Sequence, residues 1–415
     1  LRAGEAAGSA DISMTVVEGS ARDVGRDGAL TRHGADRLRP PAPRPRDRLA
    51  IMFTSGTTAA PKGVVLTQAL YAYTGRTMAE AAGLEPSHRW FVTLPLFHAN
   101  AQYYCFASAI AAGASVALTA TFSASRWFAQ ADRLGVTHGS LFAAPIRMIL
   151  ARDAGGPDLA LTHMWFAQNL TPEEYATFAR RIGCRPRQLY GMTETGPAVL
   201  TDRADPPVPH TIGTETGASR VRVVRPAEND GGNGVELEVG GVPGVTLFDG
   251  YLDDPATTAA AMSGPDADGV WWFRTGDRVA REKDGRYVFV GRGGDIVKVG
   301  GENVSLTEVE AVLAEYPGIG DVVAVAVPDS VLDEVVAALV APRGEFDEAR
   351  FLAWSAHRLS PSRRPRSVRE VQELPRTSVG KIRRHLARQL VADAVAHPGS
   401  VATPADGERA LQQSF

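Results

Sequence analysis

At 415 residues the chain is long enough to bury large cores, and length alone suggests two or three domains. Its composition is that of an ordinary globular protein with a formal net charge of −3, which argues against the concentrated basic face of a nucleic-acid binder. The only two cysteines, Cys105 and Cys184, cannot make a disulfide framework, and no Cys/His spacing reads as a zinc site, so a reducing cytoplasm is the expected setting.

Residues 1–47 are weakly patterned. Leu1–Asp11 lacks the basic start and apolar run of a secretory signal. Ser13–Val17 reads as a strand and Arg39–Arg48 as a Pro/Arg-rich linker. From Leu49 to about Gln188 strands and helices alternate. Strands are expected at Leu49–Phe53 (apolar throughout, hence buried), Trp90–Leu94, Ser115–Leu118, Gly139–Phe142, Met164–Ala167 and Gln188–Tyr190. Helices are expected at Thr67–Ala82, Ala101–Ala112, Ser125–Leu134 and Pro172–Ile182, the last with Thr171 as N-cap and Glu173 and Glu174 near the helix dipole. Such alternation implies a parallel sheet covered by helices. Trp90–Ser125 carries no charged side chain, but Pro95, Asn100, Gln102 and Gly113 divide it into strand, helix and strand, a buried core rather than a membrane span.

After Gly191 the texture changes to short strands with Gly/Pro turns: Arg220–Arg225, Gly234–Val239, Arg278–Arg281 and Tyr287–Val290, the last two around the hairpin signal Lys283-Asp284-Gly285. Beyond Gly291 an α+β unit follows, with strands Ile296–Val299, Val322–Val327 and Val335–Val340 and helices Leu306–Ala314, Asp347–Arg358 and Gly380–Ala394. The tail is polar and small, of disordered composition.

Several short runs carry chemistry. In IMFTSGTTAAPKGV a strand breaks into Thr54, Ser55, Gly56, Thr57 and Thr58, small residues whose backbone N–H groups can make a concavity for phosphate oxygens. Lys62 adds a positive charge, but it follows Pro61 and precedes Gly63, so the Gly-Lys-Ser/Thr of a P-loop NTPase is absent. LPLFHANAQ sets Phe97-His98 at a strand end; alone, His98 reads more readily as a hydrogen-bonded core histidine. QLYGMTETG ends a strand at Tyr190, has Gly191 where backbone can approach a ligand, and offers the Thr193 hydroxyl and the Glu194 carboxylate, a hard-oxygen ligand of the kind Mg²⁺ takes. WWFRTGD places Asp277 after a glycine turn, and an ionised carboxylate accepts from two ribose hydroxyls. Lys381, among Arg376, Arg383 and Arg384 in PRTSVGKIRR, would by itself be a solvated cation.

In this order the runs are similar to those of the adenylate-forming superfamily, the acyl-CoA synthetases, peptide-synthetase adenylation domains and luciferases. The resemblance covers nearly everything but the two ends. It implies an α/β fold: a large N-terminal domain of parallel sheets covered by helices plus a β-rich subdomain, and a small mobile α+β C-terminal domain. The expected divisions are 1–47 as a truncated N-terminal remnant and linker, 48–290 as the large domain, 291–391 as the C-terminal lid and 392–415 as a disordered tail. Little room is left for the folded segment that precedes the phosphate loop in such proteins, so the chain reads as a late-starting member.

The resemblance also implies roles. Thr54, Ser55, Gly56, Thr57, Thr58 and Lys62 hold the ATP phosphates, with Ala59 where members usually have glycine. His98 is an aromatic gate beside the acyl pocket, along which Ala167, Gln168, Gly191 and Met192 lie; Gln168 narrows or polarises that pocket where relatives carry small glycines. Tyr190 stacks on adenine, Thr193 contacts the α-phosphate, Glu194 binds Mg²⁺, and Asp277 and Arg292 hold the ribose. Gly294 stands where a hinge Asp or Lys is usual, and glycine permits the rotation without supplying the side chain. Gly300 and Gly301 flank the approach of the thiol arm, Lys298 is near the adenylate or thiol in the second step, and Lys381 is the adenylation lysine.

Within the superfamily GVPGVTLFDGYLDDPATT, KVGGENVSLTEVE and FSASRWF look closest to carnitine/crotonobetaine-type CoA ligases. The expected reaction is ATP-dependent activation of a small or medium carboxylic acid as acyl-AMP, then transfer to CoA. The partners are that acid and CoA or a carrier-protein thiol, with no nucleic acid and no membrane span; a homodimer is compatible with such an enzyme. A carrier-protein acceptor, nitrite or amine diazotisation, and an inactive nucleotide-binding fragment stay open as alternatives.

Overall fold

A computed structural model describes residues 42–54, 62–152, 156–224, 235–299, 302–329, 332–377 and 382–396. The expected strand at Ser13–Val17 and most of the polar tail lie outside these residues. The described residues from Pro45 onward belong to one compact unit.

β1 (Arg48–Thr54) is not a buried strand of the parallel sheet: it pairs antiparallel with β2 (Lys62–Thr67) in a two-stranded ribbon. Only Met52 is buried in β1, while Ile51 is 41% and Phe53 67% exposed. An apolar run can lie on a ribbon edge as readily as inside a sheet, since periodicity does not report the partner. The ribbon runs directly into α1 (Gln68–Ala81), whose N-cap Thr67 accepts from the Leu70 N–H at 3.1 Å.

The core is a seven-stranded sheet built from β3 (Arg89–Val92), β4 (Ser115–Leu118), β5 (His138–Phe142), β6 (His163–Ala167), β7 (Arg187–Tyr190), β8 (Leu200–Thr201) and β9 (Thr214–Glu215). Its spatial order is β4-β3-β5-β6-β7-β8-β9, parallel through β7 and antiparallel beyond. Side chains alternate across it as the period of two requires. Trp90, Val92, Trp165 and Leu189 pack on the face of α1 and the 100–112 helix. Phe91, Leu141, Met164 and Phe166 pack on the other face with Trp127, Ile146 and Phe178 from the helices 127–133, 143–151 and 172–182. The 172–182 helix matches expectation residue for residue. Thr171 and Glu174 form a capping box at 3.2 and 2.9 Å.

The expected helix at Ala101–Ala112 differs. Asn100–Ala107 is π-helical and only Ser108–Ala112 is α-helical. Single π turns inside helices recur at functional sites, and this one presents two adjacent tyrosines to the turn after β7. The helix at Ala143–Ala151 carries no early signal in the sequence because its apolar run continues directly from β5.

A five-stranded antiparallel sheet follows: β10 (Arg220–Val224), β11 (Val235–Gly241), β12 (Met262–Ser263), β13 (Trp271–Arg281) and β14 (Tyr287–Arg292). β13 is one long strand starting at Trp271, so Asp277 sits within a strand, one residue after Gly276 at φ +69°. The next strand belongs to another sheet, made of β15 (Ile296–Val299), β16 (Glu302–Ser305), β17 (Ile319–Asp329), β18 (Asp333–Pro342) and β19 (Ser367–Glu370). Between the two sheets lies the single turn Gly293–Asp295. Val304, Leu306, Val309 and Phe351 fill one face of this second sheet, and Ala387 and Val391 of the helix Arg384–Ala396 cover the other. That helix, expected over Gly380–Ala394, runs to Ala396. Among the described residues no helix is long and apolar enough to cross a membrane.

Candidate active site

The parallel strands end where the chemistry-bearing motifs begin. Ligand sites of open α/β sheets lie outside the carboxyl ends of the strands, and the structure places a cleft of about 1900 Å³ there. Thr54 and Lys62, paired across one end of the β1–β2 ribbon, line it. So do His98, Ala167 and Gln168, then Tyr190, Gly191, Met192, Thr193 and Glu194, and finally Asp277 and Arg292. Positions spread over more than half the chain thus converge on one space. Ser55, Gly56, Thr57, Thr58, Gly300 and Lys381 lie outside the described residues. Lys298 is placed in β15 opposite Asn303, and Gly294 in the turn between the sheets.

Asp277 is the most densely bonded of these groups. It is buried, accepts the Tyr190 hydroxyl at 2.7 Å on Oδ2 and the Arg292 Nε–H at 2.8 Å on Oδ1. Burial first, and then the Asp277 charge, raise the Tyr190 phenol well above its ordinary range, so it stays protonated and donates. The Asp277 carboxylate in turn raises the Arg292 guanidinium and holds it charged. Each carboxylate oxygen keeps acceptor capacity beyond these bonds. The Tyr190 ring is fixed at its tip, with the Phe289 ring 6.3 Å away at 33°.

Glu194 is buried in the turn Thr193–Thr195. Its Oε1 accepts from the Tyr251 hydroxyl at 3.0 Å, and Lys62 Nζ lies 5.0 Å over the Tyr251 ring. Burial, then the Glu194 charge, raise the Tyr251 phenol. Among the described residues no group of three His, Cys, Asp or Glu side chains is set to hold a metal. The buried Glu194 carboxylate suits a Mg²⁺ ion that takes one or two carboxylates and keeps phosphate oxygens and water as its other ligands.

Tyr103 donates to the Thr193 carbonyl at 3.1 Å, from the π-helical turn. Gly191 is explained by protein packing: a Cβ there would lie 2.9 Å from Tyr104 Oη and from Ala198 Cα. His98 Nδ1 accepts the Asn100 backbone N–H at 3.1 Å, which puts the proton of the neutral ring on Nε2, and its ring meets Phe142 edge-on at 5.2 Å.

The flanks of the lysine loop are also in the cleft. Arg376 and Ile382 form an antiparallel bridge and the Arg383 N–H donates to the Pro375 carbonyl at 2.8 Å, closing the loop at its base. Arg384 donates to Glu310 at 2.8 Å and pairs with Asp295 at 3.2 Å. Burial raises the Glu310 carboxyl against the pull of Arg384. Tyr251, Tyr103 and this Arg384 cluster escaped the sequence reading. Tyr251 stands in GVPGVTLFDGYLDDPATT, where a tyrosine after a glycine was the available signal.

A family model described as AMP-binding enzyme matches residues 4–252, and one described as AMP-binding enzyme C-terminal domain matches residues 308–381. A crotonobetaine/carnitine–CoA ligase of Shigella flexneri is 33% identical over 344 residues, 81% of this chain and 65% of that protein. A medium/long-chain-fatty-acid–CoA ligase, FadD17, of Mycobacterium marinum is 34% identical over 369 residues, 85% of this chain and 68% of that protein. The chain therefore spans about two thirds of the length of these relatives. Among solved structures, ATP-bound MatB from Rhodopseudomonas palustris superposes with a TM-score of 0.77 at 24% identity, covering 88% of this chain and 73% of that one. An anthranilate CoA ligase, AuaEII, in complex with anthranoyl-AMP gives 0.73 at 21%, covering 86% and 69%. At these identities the structural likeness concerns the fold.

Proposed function

Because the chain belongs to the AMP-binding enzyme family, we propose that it activates a carboxylic acid with ATP as acyl-AMP, releasing pyrophosphate, and passes the acyl group to CoA. The observation that carries this reading is the convergence of Lys62, Thr193, Glu194, Tyr190, Asp277 and Arg292 on one cleft. Adenylation needs an anion cradle, a hard carboxylate and a ribose anchor within the span of one nucleotide, and the cleft holds side chains suited to each task.

Tyr190 offers its ring to the adenine, and Asp277, oriented by Tyr190 and Arg292, accepts from the ribose hydroxyls. The Thr193 hydroxyl meets the α-phosphate, and Thr54, Lys62 and the loop between them take the β- and γ-phosphates. Glu194, steadied by Tyr251, would hold Mg²⁺, which when bound supplies charge neutralisation to the phosphates. His98 and Ala167 border the acid. Lys381 places a positive charge against the α-phosphate as the carboxylate oxygen attacks phosphorus and the bond to pyrophosphate breaks; preorganised charge of this kind is often the largest catalytic contribution.

The C-terminal body, from the Gly293–Asp295 turn onward, is the moving part. Rotation there withdraws Lys381 and brings Gly300 to the cleft for thioester formation, so that one site serves two reactions. The free state of Cys105 and Cys184 supports a cytoplasmic setting. The test is mass spectrometry of products formed with ATP, Mg²⁺ and a panel of acids, with and without CoA. An acyl-CoA formed by the wild type and reduced roughly 10²–10³-fold in Lys381→Ala is expected. Acyl-AMP that accumulates and ignores CoA would reject CoA as the acceptor.

A further inference from the structure

Tyr251 touches both the lysine that leaves the phosphate loop and the buried carboxylate of the Thr193–Thr195 turn. Its hydroxyl donates to Glu194 Oε1 at 3.0 Å, while Lys62 Nζ lies 5.0 Å over its ring. The segment that carries it is bonded on two sides. The Asp249 N–H donates to the Val65 carbonyl at 3.0 Å, the Val65 N–H to the Gly250 carbonyl at 3.0 Å and the Leu252 N–H to the Gly63 carbonyl at 2.7 Å. These bonds fix the segment along β2, the strand that Lys62 opens. On the other side the Phe248 N–H donates to the Glu194 carbonyl at 2.9 Å. The Tyr251 ring meets Phe248 edge-on at 4.9 Å, and the Tyr251 N–H donates to Thr258 Oγ1 at 2.9 Å, so ring and backbone are both held.

Lys62 and Glu194 carry the opposite charges that a metal–triphosphate calls for, and each meets a different part of the same phenol. An ionised carboxylate has about four acceptor sites on its two oxygens. The Tyr251 hydroxyl takes one of them on Oε1, which sets the plane of the Glu194 carboxylate and leaves the others for a cation. Carboxylates that bind metals are themselves oriented by hydrogen bonds from outside, and losing such a bond typically costs about 10- to 100-fold in metal affinity. The ring acts on Lys62 by a second route, since its electron-rich face attracts an ammonium. One side chain thus orders the group for the cation and the group for the phosphates.

We propose that Tyr251 is a positioning residue for the metal–triphosphate: its hydroxyl aims Glu194 at the cation and its ring seats Lys62 for the β- and γ-phosphates. It acts on the metal and the phosphates and leaves the AMP part of the nucleotide to Tyr190 and Asp277. The proposal rests on the reading of the cleft as the site of acid activation by ATP. The test uses α,β-methylene ATP, whose bridging carbon blocks pyrophosphate release, with Mn²⁺ in place of Mg²⁺. Wild type, Tyr251→Phe and Tyr251→Leu are compared. Mn²⁺ affinity in the presence of the analogue is read from the electron paramagnetic resonance of the free ion. Calorimetry gives the affinities of the analogue in EDTA and of AMP.

Tyr251→Phe keeps the ring and loses the hydroxyl, so its Mn²⁺ affinity should fall roughly 10- to 100-fold, with metal-free analogue and AMP bound as in the wild type. Tyr251→Leu should show the same loss and, in addition, bind the metal-free analogue about two- to fivefold more weakly, again with AMP unchanged. Unaltered Mn²⁺ affinity in Tyr251→Phe would overturn the proposal. So would a parallel fall in AMP affinity, because a merely structural role weakens every part of the nucleotide alike. Loss of Mn²⁺ affinity in Tyr251→Phe, beside a wild type that exchanges no pyrophosphate into ATP with any acid, would instead reject the adenylation reading and leave the role of Tyr251 standing.

Discussion

The two ends of the same parallel strands have opposite characters. At the amino ends, His138 opens β5 and His163 opens β6, and both are buried among aromatic rings. His138 lies 4.6 Å from the His88 ring and 5.1 Å from Trp90, while His163 stands perpendicular to Trp165 at 4.7 Å. At the carboxyl ends the strands stop in Phe142, Ala167 and Tyr190, and the chain turns into exposed amides, a left-handed Gln168 and the Thr193-Glu194 turn. One end is closed by packing; the other is held open by hydrogen bonds. Imidazoles are ordinary candidates for chemistry, yet here the histidines at the packed end serve the core, and the proposed chemistry falls to groups at the open end.

The largest effect expected from this contrast is at the open end. Glu194→Gln should reduce acid-dependent pyrophosphate release by roughly 10²–10³-fold, whereas His163→Phe, assayed at pH 8, should leave it near the wild-type rate. Equal losses in both variants would remove the distinction between the ends.

The packed end should show itself in acid. Burial, and secondarily His88, holds His138 at about 4; burial, then His138 and Arg187, holds His163 at about 3. An unfolded histidine titrates near 6.5. Between those values the unfolded chain binds more protons, so the stability these two residues confer is complete above about pH 6.5 and declines as pH falls toward 4 and then 3. His163→Phe should flatten the fall of the thermal midpoint over that window. Parallel pH profiles for variant and wild type would contradict it.

A smaller effect is expected at the strap beneath the pocket. Thr171→Ala removes one half of the capping box and should cost about 1 kcal/mol in urea unfolding. It should also loosen the Arg147–Glu174 anchor of the Asn169 carbonyl, visible as faster hydrogen exchange at the Glu174 amide, which loses its acceptor.

Much of this was legible in the residues, for reasons that differ by region. The helix Pro172–Ile182 announced its start, because Thr171 and Pro172 act through the backbone close to them. The strands ending at Phe142, Ala167 and Tyr190 were readable because apolar side chains filling both faces of a sheet leave continuous runs. β1 was misplaced because the run Leu49–Phe53 says nothing about which strand it pairs with. Tyr251 was missed because its partner Glu194 lies 57 positions away in sequence. The left-handed backbone at Gln168 is held by hydrogen bonds that Gln188 donates to its carbonyl and Arg147 to the carbonyl of Asn169, from two elements distant in sequence, and no local pattern encodes it.

The central claim is that the cleft makes an acyl-adenylate, and the exchange of labelled pyrophosphate into ATP measures that step alone. Exchange that requires both Mg²⁺ and a carboxylic acid, and is lost in Glu194→Gln, is the predicted result. ATP binding at the cleft with no exchange from any acid in the panel would contradict it.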